Sequence, residues 1–185
     1  LKLCEGQYLD LSYQTRSRIG VTDYLEMIRG KTAQLFRCSL ALGALLGTDD
    51  ATLISQFDSL GLELGLAFQV HDDLQGICQD EKTTGKSSYT DISEKKKTLP
   101  VIYAQKRATG EEKERLSRIY GKAKLSEQDV SEVLRVLQDT GAQRYMERFK
   151  KRYYRRALDV LKRMQLPAWA KDELKEMVDF TLSQV

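Results

Sequence analysis

The 185-residue sequence has little of what builds strands, disulfide scaffolds or membrane spans. It contains only two prolines, and its 26 leucines outnumber 16 valines and isoleucines together, which favours long helices over strands. Cys4, Cys38 and Cys78 form no CxxC pair, so we interpret them as reduced thiols of a cytoplasmic protein. The longest apolar or small run, 38–46, is about nine residues, whereas a bilayer span needs about twenty. No transmembrane helix is predicted.

Histidine is also scarce. His71 is the only one, which excludes a histidine-based catalytic triad and a multi-histidine metal site. No signal peptide opens the chain, and because its first residue is Leu1 rather than Met, we expect upstream sequence to be missing. The hydrophobic content of 41% is enough for a core, and the net charge is only +3. We predict one all-α domain over residues 1–185, as a bundle of long helices.

Apolar residues recur at intervals of three and four, which indicates amphipathic helices. One helix is predicted to start with Thr22 or Asp23 as its cap and to end at Gly47. Its buried stripe is predicted to comprise Leu25, Ile28, Thr32, Leu35, Ser39, Leu42 and Leu46. A second helix follows Thr48-Asp49-Asp50 and ends near Cys78, before a polar loop over 79–88. Further helices are predicted from Pro100 to Arg107, after a capping box at Ser126 and Asp129, and over 141–163 and 167–182.

Two adjacent carboxylates stand out on the second helix. Helical spacing puts Gln69, Asp72, Asp73 and Gly76 on one face, at i, i+3, i+4 and i+7. Adjacent carboxylates on a largely apolar helix repel each other unless a cation compensates, and oxygen ligands suit a hard ion such as Mg²⁺. A solvated helix face or a pair of surface salt bridges explains a bare Asp-Asp pair equally well.

Three candidate lysines lie on either side of the carboxylate pair in the sequence. One lies in the helix before the pair, and two lie in the segment after it. Lys86 lies in Thr84-Gly85-Lys86, Lys96 lies in a run of three lysines after Asp91, and Lys31-Thr32 lies within the first long helix. Flexible lysines that approach from outside the carboxylate helix suit a metal-bound polyphosphate. Solvated loop lysines and a snorkelling helix lysine are the plain alternatives.

The segment 144–163 is strongly basic and carries interleaved aromatic residues. Basic and aromatic residues together suit RNA or single strands. However, Tyr145, Phe149, Tyr153 and Tyr154 are spaced like a stripe that faces a core, so we interpret the basic side as a solvated helix face. No nucleic-acid partner is predicted.

In order and spacing, these pieces resemble the trans-isoprenyl diphosphate synthases, the family of farnesyl and geranylgeranyl diphosphate synthases. The resemblance covers about residues 1–105 and is closer to the geranylgeranyl type. The matching positions are Gly6-Gln7, Asp10-Leu11, Lys31-Thr32, Phe68-Gln69, Asp72-Asp73, Thr84-Gly85-Lys86, Asp91 and Lys96.

The resemblance implies an all-α barrel around a central apolar cavity. It implies Mg²⁺ bound by Asp72, with help from Asp73, and an allylic diphosphate gripped by Lys31, Lys86 and Lys96, with Thr32 and Gln69 beside them. The reaction would be condensation of isopentenyl diphosphate with that allylic diphosphate. The resemblance also implies a homodimer.

Two departures from the family pattern keep alternatives open. Gly76 stands where the family has a third aspartate, and the first Asp-rich motif and the residues that bind isopentenyl diphosphate would lie upstream of this chain. We therefore expect the C-terminal portion of a longer enzyme. The alternatives are a regulatory subunit that pairs with an active partner and a class I terpene cyclase, which needs no isopentenyl diphosphate.

Overall fold

The computed structural model describes residues 1–16, 18–78 and 89–183, and every regular element within them is helical, as predicted. The α-helices are α1 (Lys2–Thr15), α2 (Val21–Ile28), α3 (Gln34–Gly47), α4 (Ala51–Cys78), α5 (Thr90–Ser93), α6 (Leu99–Arg107), α7 (Gly110–Tyr120), α8 (Glu127–Asp139), α9 (Ala142–Arg163) and α10 (Ala168–Ser183). A π-helical turn, Arg29–Ala33, joins α2 directly to α3. Within these described ranges, no helix is both long and apolar enough to span a bilayer.

The two long helices begin with different caps. The prediction that Thr22 or Asp23 is the N-cap of α2 is wrong: the N-cap is Gly20, and the Asp23 carboxylate accepts a 2.8 Å hydrogen bond from the Gly20 amide. Asp23 therefore stabilises the helix start from inside the first turn, where a negative charge is favourable. At the start of α4, which was predicted to follow Thr48-Asp49-Asp50, Asp50 accepts a 2.8 Å hydrogen bond from the amide of Thr52.

The later helix boundaries follow the sequence signals closely. Pro100 lies in the first turn of α6, where its missing amide hydrogen costs nothing. The capping box before α8 is confirmed. The Ser126 amide donates to the Asp129 carboxylate at 3.0 Å, and the Asp129 amide donates to the Ser126 hydroxyl at 3.2 Å. The short helices α5 and α7 carry weaker signals and were not predicted.

Helix α4 is the centre of the molecule, and two hydrophobic clusters hold the helices together. The larger cluster packs α4 residues such as Leu64 and Val70 against α9 residues such as Phe149. The smaller cluster packs the four helices α5, α6, α7 and α8 together through residues that include Val101 and Val133. Burial of these side chains supplies most of the driving force that orders the helices.

The basic face of α9 is solvated, as predicted. Phe149 and Tyr153 are buried, and Tyr145 and Tyr154 are half-buried. The exposed basic side chains of this helix include Arg144, Arg148, Lys151 and Arg155.

Small residues let α4 approach α3 and the π turn closely. A Cβ atom at Gly65 would lie 2.5 Å from the Cα of Ala33, and one at Gly61 would lie 2.7 Å from the Cα of Arg37. Real Cβ atoms do not approach other atoms so closely, so both positions require glycine. This contact fixes the position of the π turn along the axis of α4.

The second half of the predicted buried stripe is not buried, and for these residues the prediction is wrong. Leu35, Ser39, Leu42 and Leu46 are exposed, Leu42 by 53% and Leu46 by 90%. Helix α3 instead packs Phe36 and Leu40 against the core, so the leucine stripe faces away from α4. No element of the described residues covers it.

Candidate functional site

A pocket between α1, α2, the π turn and α4 collects most of the charged side chains that the sequence singled out. The segment that runs from α5 to the start of α6 closes its remaining side. The pocket is lined by Asp10, Tyr24, Met27, Ile28, Lys31, Gln69, Asp72, Asp73, Asp91, Lys96, Lys97 and Thr98. Four carboxylates and three lysine side chains therefore line the same pocket.

Lys31 reaches the pocket from the π turn. A π turn inside a helix widens it by one residue and is common at functional sites. The Lys31 ammonium forms an ion pair with the carboxylate of Asp10, which comes from α1 and is nearly buried. The backbone of α1 reaches this position because Gly6 lies directly against the π turn.

Thr32, the next residue in the π turn, begins a chain of hydrogen bonds into α4. Its hydroxyl donates to Oε1 of Gln69 at 2.5 Å. The Gln69 amide nitrogen then donates to Asp72 Oδ2 and to Asp73 Oδ1, each at 3.1 Å. Gln69 thus uses its carbonyl oxygen toward the π turn and its amide group toward the two carboxylates, which orients the pair.

Asp73 is the more deeply buried of the two adjacent carboxylates, with 5% of its surface exposed. Its Oδ2 atom accepts hydrogen bonds from the Tyr24 hydroxyl at 2.9 Å and from the Leu99 amide at 3.0 Å. Burial raises the pKa of Asp73 to about 7, against the opposing effect of hydrogen bonds from Leu99, Gln69 and Tyr24, which favour the charged form.

A second ion pair faces this arrangement across the pocket. The Lys96 ammonium donates to Asp91 at 2.7 Å and lies 3.2 Å from the Glu94 carboxylate. Burial opposes the charge on Lys96, but the two acidic neighbours outweigh it and raise the pKa of this lysine. Asp91 also lies beside Gly76: a Cβ atom there would be 3.4 Å from Asp91 Oδ2. A carboxylate from α5 therefore approaches α4 at the position where the sequence has glycine instead of a third aspartate.

The structure places nearly all of the predicted site residues in or beside this one pocket. Those that line the pocket are Lys31, Gln69, Asp72, Asp73 and Lys96, and Thr32 joins them through Gln69. Lys86, with Thr84 and Gly85, lies outside the described residues. The metal-binding and substrate-binding roles assigned to these residues stay predictions.

Three further pocket residues form ion pairs or hydrogen bonds with the predicted site residues but were not predicted themselves. Asp10 and Asp91 belong to the matching stretches of the resemblance, so a signal for them was present, but neither lies on a helical face shared with the other site residues. Tyr24 carried no signal, since a tyrosine in an amphipathic helix is most often a core residue.

Two other side chains, those of Lys97 and His71, contact residues that do not line the pocket. Lys97 lies on the pocket wall, but its ammonium stacks 4.9 Å above the centre of the Tyr120 ring, and burial lowers its pKa. His71 is buried, and its Nδ1 lies 3.1 Å from the Lys150 ammonium of α9. His71 does not line the pocket.

The acidic residues of the pocket match the way Mg²⁺ is usually held. Within residues 1–16, 18–78 and 89–183, no three acidic, histidine or cysteine side chains cluster tightly enough to hold an ion by themselves. Mg²⁺ commonly takes only one or two carboxylates and completes its shell with water and substrate phosphates. Asp72 and Asp91, which line the same pocket as Lys31 and Lys96, provide such a partial set.

Comparison with known proteins identifies relatives along almost the whole chain. The family model described as Polyprenyl synthetase matches residues 1–137. The geranylgeranyl diphosphate synthase of Saccharolobus solfataricus is 34% identical over 183 residues, which cover 98% of this chain and 55% of that protein. The polyprenyl synthetase structure from Streptomyces coelicolor A3(2) superposes with a TM-score of 0.89 at 32% identity, over 98% of this chain and 55% of its own.

Some of the similar structures were solved with ligands, and one of them is the geranylgeranyl pyrophosphate synthase from Corynebacterium glutamicum, complexed with isoprenyl diphosphate and magnesium. It has a TM-score of 0.88 at 26% identity, and the match covers 100% of this chain and 52% of that one. The chain thus spans little more than half the length of the relatives that it matches.

Proposed function

The chain belongs to the polyprenyl synthetase family, and from that premise we propose that it is part of an isoprenyl diphosphate synthase. The enzyme would condense isopentenyl diphosphate with an allylic diphosphate to a short-chain product, geranylgeranyl or farnesyl diphosphate. One observation carries the proposal: Lys31 and Lys96, each paired with an acid, approach the same pocket as Asp72 from two different elements. Two cations that face a carboxylate across an opening suit a metal-bound diphosphate.

The lysines would bind the diphosphate of the allylic substrate. Lys31 and Lys96 are each one-third exposed, so their ammonium groups can leave part of their present ion pairing for phosphate oxygens. We assign Lys86 to the same task on the basis of the resemblance. Thr32 and Gln69 would orient Asp72 and Asp73, since one chain of hydrogen bonds runs from Thr32 through Gln69 to the two carboxylates.

Asp72 would hold Mg²⁺, with Asp91, which approaches α4 one turn further along at Gly76, as the second carboxylate. Asp72 accepts a hydrogen bond from Gln69 at one oxygen and is only half-buried. Asp73 was predicted to help, and its position is more enclosed. When bound, the ion would neutralise the charge that grows on the departing pyrophosphate.

The reaction follows from what these side chains stabilise. The C–O bond of the allylic diphosphate breaks, and pyrophosphate leaves with the bonding electron pair. The double bond of isopentenyl diphosphate attacks the allylic cation, a new C–C bond forms, and a proton is lost to restore a double bond. Lys31 and Lys96 would lower the barrier by placing fixed positive charge where the negative charge of the leaving group develops.

We further propose that residues 1–185 form the C-terminal portion of a single synthase domain. The chain spans about 55% of similar synthases, and the apolar stripe of α3 is exposed, as expected of a domain whose other helices lie elsewhere. The assembly would be a homodimer in the cytoplasm.

Mass-spectrometric product analysis tests the proposal. The full-length protein that contains this chain is incubated with Mg²⁺ and an allylic diphosphate, with and without isopentenyl diphosphate. A longer prenyl diphosphate that forms only with isopentenyl diphosphate is the expected result. A hydrocarbon that forms without it would instead identify a cyclase, and no product from the full-length protein would contradict both activities.

Site variants connect that activity to this pocket. Asp72→Ala should lower turnover about 100-fold or more, because charge stabilisation of the leaving group is lost. Lys124→Ala is the control, since Lys124 lies exposed in the turn between α7 and α8, away from the pocket wall. Equal effects of the two substitutions would refute the site.

A further inference from the structure

Asp73 joins three separate parts of the pocket wall. Its carboxylate accepts hydrogen bonds from Tyr24 on α2, from Gln69 on its own helix α4 and from the backbone amide of Leu99 on α6. With 5% of its surface exposed, it is among the most enclosed charged residues described. The three donors come from residues far apart in sequence, so the carboxylate fixes tertiary structure and not only local conformation.

The bond to Leu99 places Asp73 at the beginning of α6. The first amides of a helix have no partner within the helix, and a carboxylate that accepts from them is favourable. Thr98 precedes the helix, and in the described part of the chain its side chain makes no capping bond. Asp73 supplies that cap from another helix. Lys96 lies only three residues before Leu99. This cap therefore also fixes the position of Lys96 at the pocket that Asp72 lines.

The two neighbouring aspartates therefore have different surroundings. A carboxylate offers about four acceptor positions, and three of those on Asp73 are already used by protein donors. A metal ion at Asp73 would have only the remaining position on Oδ1, and binding through both oxygens would displace buried donors, which would then lack partners. Asp72 accepts only the bond from Gln69 among the contacts described and is half-buried, so its remaining positions are accessible from the pocket.

We infer that Asp73 is a positioning residue rather than a metal ligand, and that Tyr24 acts through it to hold Lys96 in register with Asp72. This inference rests on the proposed function, since it concerns the same diphosphate site. Tyr24 is 1% exposed, and its hydroxyl donates to Asp73 at 2.9 Å. Loss of that hydroxyl loosens the carboxylate, then the Leu99 amide, and finally the segment that carries Lys96.

The test uses inorganic pyrophosphate as the probe, with binding measured by calorimetry in the presence and in the absence of Mg²⁺. Tyr24→Phe is compared with Tyr154→Phe, which also removes a tyrosine–aspartate hydrogen bond, of 2.6 Å to Asp179, but away from the pocket. Asp73→Asn and Asp72→Asn are measured beside them. Hydrogen–deuterium exchange of the Leu99 amide follows the start of α6 directly and needs no ligand.

Tyr24→Phe should weaken pyrophosphate binding about fivefold, the effect of one lost hydrogen bond, by the same factor with and without Mg²⁺. It should also speed exchange at Leu99. Tyr154→Phe should lower thermal stability but leave the affinity and the Leu99 exchange unchanged, which separates positioning from general stabilisation. Asp72→Asn should weaken binding only when Mg²⁺ is present.

Three results would overturn the inference. The first is unchanged pyrophosphate affinity in Tyr24→Phe. The second is a loss in Asp73→Asn that appears only with Mg²⁺, as for Asp72→Asn, because that pattern identifies a metal ligand. The third is a wild-type protein that binds no pyrophosphate, which refutes the proposed site together with this inference. If Asp73→Asn does not fold, the comparison of the two tyrosine variants decides the question alone.

Discussion

Gly6 on α1 lies directly against the backbone of Lys31 in the π turn: a Cβ atom at Gly6 would be 2.1 Å from the Lys31 nitrogen. Gly30, on the other side of this crossing, also has no room for a side chain, with its Cβ position 2.9 Å from the Gly6 Cα. Two glycines thus allow the helix backbones to touch, and this contact brings Asp10 on α1 within reach of Lys31. The site depends on the closeness of the two helices.

Gly6→Ala should therefore destabilise the protein and move Asp10 away from Lys31. The methyl group would meet backbone atoms that cannot rotate aside, and overpacking of this kind costs about 1–3 kcal/mol. The measurement is the free energy of unfolding in urea. Gly43→Ala is the matched control, because nothing lies within 4 Å of its Cβ position on α3. That variant should be neutral or more stable by about 0.5–1 kcal/mol, since alanine favours a helix. Similar losses in both variants would refute the close crossing.

Lys31→Ala should lower turnover of the full-length enzyme about 100-fold or more, because a fixed charge opposite the leaving group is lost. It should also leave the nearly buried Asp10 without its cation, which costs stability. The double variant Asp10→Asn with Lys31→Ala separates these effects: stability should return while turnover stays low. Recovery of turnover in the double variant would show that Lys31 acts only on the fold.

The protein should lose stability in acid as Asp129 becomes protonated. The hydrogen bond from Lys122 and the one from the Ser126 amide hold the pKa of Asp129 at about 2, below its usual 3.8. Since the group is more acidic when folded, its contribution is fully present above about pH 4 and is lost as the pH falls toward about 2. Urea unfolding of the wild type and of Asp129→Asn should show a difference that shrinks across this range.

The control for this prediction is Asp139→Asn at the other end of α8. Asp139 lies 3.8 Å from Arg135, and both side chains are at least half exposed, so little stability is expected from the pair. A difference between the wild type and Asp129→Asn that stays constant from pH 6 to pH 2.5 would contradict the stated cause.

The exposed stripe of α3 should tolerate polar residues that the core does not. In the protein of residues 1–185 alone, Leu42→Glu should change the free energy of unfolding by less than about 0.5 kcal/mol, as surface substitutions usually do. It should also reduce binding of the dye ANS, which reports exposed apolar surface. Leu64→Ala is the buried comparison and should cost about 2–5 kcal/mol. A large loss of stability in Leu42→Glu would show that the stripe is covered.

Local sequence signals predicted most of the helices because their causes are local. Capping at Asp50 and Ser126, proline at the start of α6 and the aromatic spacing of α9 each act within one or two turns. Spacing along one helix also placed Gln69, Asp72 and Asp73 together, since residues four apart share a face. The failure at Leu42 and Leu46 has the same origin: periodicity shows that a face is apolar but not what covers it.

The sequence by itself determined the all-α architecture, the carboxylate pair and the lysines suited to a diphosphate, because composition, periodicity and residue chemistry are properties of the chain alone. Only the tertiary structure decided that Asp10 pairs with Lys31, that Asp91 approaches Gly76, and that Asp73 caps α6 while Asp72 faces the pocket. These contacts join residues 15 to 26 positions apart, so they depend on how the helices cross. Those crossings are set by close packing at Gly6, Gly61 and Gly65, which no local pattern specifies.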